Sequence, residues 1–334
     1  MNKCVLLGAD SGFNLENSYK KALEKKGMTV SFYDISKDIS NSLPIQRLTH
    51  NISMDNWSAI HKANVTFSKY IFINRPDVVI VFCNAPITAG AILYFQSLGI
   101  KCVLVWPDAI VNLNQRLIEN IPLYDFIASY SSSGVLSFQK LGSKNTEWIP
   151  LGGDISLHHI LIESEKTFEY DISFIGNWRP ERDEIMAQIV DNFQTNKILI
   201  QGSGWKKNTK SAAIKKIVKE GVITGRAFAE TLSKGYLNLN IIDYVNFPAA
   251  NMRFFEIPIA GALQLSSPCP EMETVFKEGE HVLYYKDKND LIEKVQYALN
   301  HPKEMATIRK QGQDLLLSHH TYDSRIESII KKLV

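Results

Sequence analysis

Two α/β domains in tandem, each a Rossmann-like parallel sheet covered on both faces by helices, are what this sequence predicts. Three observations carry the expectation. Short runs rich in Val, Ile and Leu alternate with amphipathic stretches, the signature of strands buried on both faces. The alternation stops at a polar interval near the middle and then restarts. The chain has 334 residues, enough for two domains at about 150 residues each.

The elements follow in order. Lys3–Leu7 reads as a strand, Asn14–Lys26 as a helix with Leu15, Tyr19, Ala22 and Leu23 at three-to-four spacing, and Met28–Tyr33 as a second strand. Residues 36–56 are polar and show no usable period. A helix through Trp57–Asn74 precedes the strand Asp77–Phe82, and a helix near Thr88–Leu98 precedes Lys101–Trp106. Tyr124–Ser129 and Thr146–Ile149 complete the first set of strands. His158–Glu169 is the polar, strand-free interval, read as a linker. The second series comprises Asp171–Ile175, Lys197–Gln201, Val222–Thr224, Tyr236–Ile242, Ala262–Leu265 and Val282–Tyr285. Pro302–Val334 is helical by periodicity. The domains expected are 1–160, with the terminal helix 316–334 returning to it, and 168–315.

Composition narrows the function classes. Apolar residues make up 45 % and charged residues 22 %, ordinary globular usage. The net charge of +2 supplies no bulk field for nucleic acid. A basic run (Lys206, Lys207, Lys210, Lys215, Lys216, Lys219) reads as a solvated helix face or as a contact for an anionic lipid or glycan surface. No run approaches 18 apolar residues, so the expectation is a cytoplasmic chain with at most peripheral membrane contact. The four cysteines are scattered with no C-x-x-C pair, as free thiols in a reducing compartment are, and no histidine spacing suggests a metal site.

The segment that carries chemistry is Asn246–Ala262. Asn251 suits a helix N-cap, and a helix starting there directs unpaired N–H groups and a partial positive charge toward the strand ends, as a diphosphate requires. Arg253 in the first turn adds a forked, permanent cation, and Glu256 lies three residues on, on the same face. The same spacing also fits an ion pair on an exposed helix. Pro258 falls inside this predicted helix and removes one of its hydrogen bonds.

The motif N-x-R-x-F-E-x-x-x-x-G-A, from Asn251 to Ala262, and the later stretch Phe276–Tyr285 resemble the donor half of a GT-B glycosyltransferase. Within that fold the chain is similar to the CgeB-like, spore-maturation-protein-type glycosyltransferases. Their tail appears as His320-Thr321-Tyr322-Asp323-Ser324-Arg325. Phe174–Asn177, Trp148–Asp154 and Trp106–Asp108 resemble further family segments. The resemblance implies transfer of a sugar from a nucleoside diphosphate sugar, UDP-linked by expectation, to a glycan, lipid-linked or protein acceptor. It implies no bound metal and no cofactor beyond that co-substrate, in a two-domain fold with a central cleft. Glu256 would bind the ribose, while Asn251, Arg253, Phe254 and the following N–H groups would face the diphosphate. The absence of a D-x-D motif agrees with metal independence. Many retaining GT-B enzymes carry another Glu eight residues before the ribose Glu; this chain has Pro248 there.

Other loops are candidates. Gly176, Asn177, Arg179 and Arg182 follow a strand and open a helix, so the arginines either reach phosphate or are solvated helix-start cations. Gly202 and Ser203, in Gln201-Gly-Ser-Gly204, either let the backbone approach a ligand or form a plain turn. Gly225 falls where the family places a base-contacting loop. For the general base that inversion would need, Asp108 and then Asp10 are candidates, each also a favoured turn residue. Two alternatives stay open: a non-catalytic sugar- or nucleotide-binding protein, and a sugar-nucleotide epimerase on the same fold.

Overall fold

The computed structural model describes residues 1–9, 12–42, 56–163 and 167–333. The chain divides into two compact units, Met1–Pro150 with Tyr322–Val334, and Leu151–Thr321. The first runs β1 (Lys3–Leu7), α1 (Leu15–Lys25), β2 (Thr29–Tyr33), α2 (Ile35–Asn41), α3 (Trp57–Asn74), β3 (Val78–Phe82), α4 (Ala89–Ser97), β4 (Lys101–Trp106), α5 (Gln115–Asn120), β5 (Phe126–Ser129), α6 (Ser132–Lys140) and β6 (Thr146–Trp148). The second runs α7 (Ile155–His158), β7 (Tyr170–Ile175), α8 (Pro180–Asn192), β8 (Ile198–Gly202), α9 (Trp205–Asn208), α10 (Ala212–Ile217), β9 (Lys219–Glu220), α11 (Gly225–Lys234) and β10 (Gly235–Asn240). It continues with α12 (Met252–Ile259), β11 (Leu263–Ser266), α13 (Pro270–Glu273), β12 (Leu283–Tyr284), α14 (Lys288–Asn300) and α15 (Pro302–His319). Finally α16 (Tyr322–Leu333) belongs to the first unit.

Each unit is built on a six-stranded parallel sheet, in the order β2-β1-β3-β4-β5-β6 in one and β12-β11-β10-β7-β8-β9 in the other. Central strands are apolar because both faces are covered: every residue of β3 is buried, and Val79, Val81, Leu104 and Ile127 share a core with Phe67, Ile71 and Phe95. The second core gathers Ile172, Phe174, Leu237, Leu239 and Leu265 against Met186, Ile189, Leu291 and Val295. α16 is held on α1 by Tyr322, whose ring lies 5.6 Å from that of Tyr19, and by the ion pairs Lys25–Asp323 and Lys26–Glu327.

Three readings shift. The strand expected at Val222–Thr224 lies earlier, as the two-residue edge strand β9 paired with Gln201 and Gly202. Gly221, at φ +114°, turns the chain out of the sheet, and Val222 is left 64 % exposed. The helical tail breaks at His320-Thr321, where Thr321 bridges to Gly153, so 302–333 holds two helices. The first domain, expected to end at 160, forms a unit ending at Pro150, with its returning helix starting at Tyr322 rather than 316. Residues beyond 150 pack on the second unit: the Ile160 N–H donates to the Ile259 carbonyl at 3.2 Å, and Gln313 Nε2 donates to the Ile160 carbonyl at 2.8 Å. Among the described residues no helix is long and apolar enough to cross a membrane, and all four cysteines are free.

Candidate functional site

In the second sheet the strand order reverses between β7 and β10. The carboxyl ends of strands flanking such a reversal open a crevice in which α/β proteins hold ligands. A pocket of about 240 Å³ lies there. Phe174, Ile175 and Gly176 reach it from β7, Asn240 and Ile241 from β10, and Arg182 from α8. The head of α12 closes it with Asn251, Met252, Arg253 and Glu256.

Asn251 starts α12 as its N-cap, its Oδ1 accepting from the Phe254 N–H at 3.0 Å. Its Nδ2 donates to Asn240 Oδ1 at 3.0 Å, tying the helix head to β10. Met252 and Arg253, the first helical residues, have N–H groups with no intrahelical acceptor, and both line the pocket. Helical spacing sends the neighbouring rings the other way. Phe254 and Phe255 are fully buried, and Phe254 packs edge-on to Phe276 with centroids 5.1 Å apart. Phe254 therefore contributes its capped amide and a core ring, and is absent from the pocket wall. α12 ends one residue after Pro258, eight residues long.

Arg253 and Glu256 point into this pocket. Glu256 is only 8 % exposed, and Arg253 Nη1 donates to its Oε2 at 2.7 Å. Oε1 has no partner among the described residues. The Arg253 guanidinium lies over the Phe228 ring on α11, 4.1 Å from its centre, a cation–π contact. Gly225, at φ +59°, is the first residue of α11 and does not line the pocket.

Arg182 brings a second cation. Its Nη1 donates to the Asn177 carbonyl at 2.9 Å and its Nη2 to Asp243 Oδ2 at 3.0 Å. Burial pushes its pKa below the usual arginine value, Asp243 opposes that shift, and Arg179 and Arg253 add to it. Arg179 precedes the first turn of α8 without a side-chain cap bond, stays largely exposed, and approaches Asp243 at 3.6 Å.

The glycine loops serve one another. Asn177 Oδ1 accepts from the Ser203 N–H at 3.0 Å, joining the loops after β7 and β8. Gly202 sits at φ +156°, and a Cβ there would meet the Gly176 carbonyl oxygen at 2.1 Å. The backbone that approaches Gly202 is thus that of Gly176, which itself lines the pocket.

In the first unit, Asp108 closes a local turn: Oδ1 accepts from the Ala109 N–H at 2.7 Å and Oδ2 from Asn112 Nδ2 at 2.9 Å. Asp10 lies outside the described residues. Asn240, Asp243 and Phe228 are the contributors that sequence reasoning missed. An Asn at the end of an apolar strand and a carboxylate just beyond it were the available signals; the ring under Arg253 left none. Among the described residues no cluster of three or more His, Cys, Asp or Glu side chains could hold a metal ion.

Residues 181–331 match the glycosyl transferase-like family profile, a stretch lying mostly in the second unit and running into α16. A glycosyltransferase from Rickettsia africae is 11 % identical, with a TM-score of 0.71 over 99 % of this chain and 97 % of that one. OtsA, in its apo structure, is 10 % identical, with a TM-score of 0.69 over 100 % and 99 % of the two chains. The fold is GT-B. HepE from Anabaena, solved with UDP and glucose, is 13 % identical, with a TM-score of 0.62 over 100 % of this chain and 99 % of its own. No curated protein matches in sequence. The glycosyl transferase-like match over residues 181–331, set in a GT-B fold, supports glycosyl transfer in general terms.

Proposed function

We propose that this GT-B enzyme moves a sugar from a nucleoside diphosphate donor, UDP-linked, onto a glycan, lipid-linked or protein acceptor without a bound metal, and that it is of the CgeB-like type. The observation that carries the reading is the convergence of Arg182, Arg253, Glu256 and the head of α12 on one pocket at the sheet's reversal. Two guanidinium groups and first-turn N–H groups suit a diphosphate that carries two negative charges in the donor and gains a third as it departs, the role a divalent cation plays elsewhere. Glu256, with Oε2 held by Arg253, would turn Oε1 to the ribose hydroxyls. That HepE is solved with UDP-glucose supports the donor class.

A thermal-shift panel of UDP, GDP, ADP, CMP and TDP tests it. UDP at 100 times its dissociation constant should add about 2.7 kcal/mol of stability, and Glu256→Ala should lose most of that. An unchanged shift in Glu256→Ala removes the carboxylate from the site. We propose Asp108 for the acceptor base that an inverting transfer would need; Asp108→Asn should keep UDP binding and lose turnover, and retained turnover removes Asp108 from that role.

A further inference from the structure

α3 presents two apolar faces. One, with Ile60, Ala63, Phe67 and Ile71, is buried in the first core. The other carries Trp57, Val65, Phe72 and Ile73 at helical spacing and faces solvent, with Trp57 64 %, Phe72 50 % and Ile73 77 % exposed. Together with Tyr94 of α4 and Arg116 of α5 it walls a groove of about 880 Å³. The 18 residues of α3 make this stripe about 27 Å long. An apolar patch of this kind on a soluble surface marks an interaction site.

Charge indicates what covers it. From Asn56 to Pro107 the sequence holds one carboxylate, Asp77, which accepts from the Lys3 N–H at 2.9 Å, and the groove itself is lined by one more, Glu119 of α5, which accepts from Gln115 Nε2 at 3.0 Å. Lys62, Lys69, Arg75 and Arg116 border the stripe, and none is paired with a carboxylate among the described residues. Arg116 Nε is buried with no hydrogen-bond partner, and its guanidinium lies 5.8 Å from the Trp57 ring centre. Arg75 covers the Phe72 ring at 4.3 Å. A helix with an apolar stripe, a terminal Trp and a basic border is built for the headgroup and upper acyl layer of a membrane, where the cations meet anionic headgroups.

We propose that this face of the first unit docks on the surface of a bilayer rich in anionic lipid. The inference does not rest on the donor pocket, which lies in the other unit.

Sedimentation with vesicles tests it, comparing phosphatidylcholine alone with an equal mixture of phosphatidylcholine and phosphatidylglycerol. The wild type should pellet with the mixed vesicles, less so as salt rises, and stay in solution with the neutral ones. Phe72→Ser with Ile73→Ser should reduce partitioning at least about tenfold, and Lys69→Glu by about five- to tenfold. These side chains are exposed, so thermal unfolding and the UDP shift should be unchanged in both variants. Absence of binding to mixed vesicles, equal binding to neutral ones, or wild-type partitioning by the serine variant overturns the proposal. A wild-type dimer that the serine substitutions dissociate overturns it too, and assigns the face to a second copy of the chain.

Discussion

Asp243 Oδ2 accepts from Arg182 Nη2 at 3.0 Å, so one of the two cations that line the pocket at the end of β10 is already held by a carboxylate from outside its wall. Removing that carboxylate has two opposite consequences. Asp243→Asn leaves a buried guanidinium without its counter-charge and should lower the unfolding free energy by about 1.5–3 kcal/mol in urea titration. With one negative charge fewer beside the diphosphate, UDP should bind at least about threefold tighter at low salt. Stability and affinity moving in the same direction would contradict this arrangement.

Arg253 holds its guanidinium 4.1 Å from the centre of the Phe228 ring and bonds Glu256. A lysine keeps the charge and loses the fork and the guanidinium that meets the ring. Arg253→Lys should therefore weaken UDP binding about tenfold, near 1.4 kcal/mol, by calorimetric titration. Wild-type affinity in this variant would show that charge alone suffices.

Alkaline unfolding reports the second core. Burial pushes the hydroxyls of Tyr236 and Tyr285 up to about 12 from an ordinary value of 10, with Arg309 and Ser267 respectively opposing the shift. Between those values the unfolded chain releases protons that the folded one keeps, so stability is full below pH 10 and declines toward pH 12. Tyr236→Phe also loses the hydrogen bond to the Ala298 carbonyl, 2.7 Å in the wild type, and so should be less stable at neutral pH. Urea titrations across that window should show a shallower decline with pH in Tyr236→Phe and Tyr285→Phe.

Much of this architecture is written in local pattern. β1, α3 and β4 begin and end where apolar runs and helical spacing place them, because a strand buried on both faces tolerates few polar residues. Asn251 heads α12 as its residue type predicts, since the cap bond is local. What escaped depends on contacts distant in sequence. β9 is defined by pairing with Gln201 and Gly202 rather than by its own composition, Lys219-Glu220. Phe228 reaches Arg253 from another helix, and Asp243 reaches Arg182 across 61 residues. Phe254 looked like part of the binding motif because it adjoins Arg253, yet one step along a helix rotates the side chain away from the pocket.

α16 belongs to the first unit although the chain reaches it only after the whole of the second. During translation the first sheet therefore leaves the ribosome without the helix that covers Tyr19, and that surface waits, uncapped, until α16 has followed the second unit out. A nascent chain stalled anywhere in the second unit should hold an incomplete first one, and a chaperone that shields the α1 surface would act longest there.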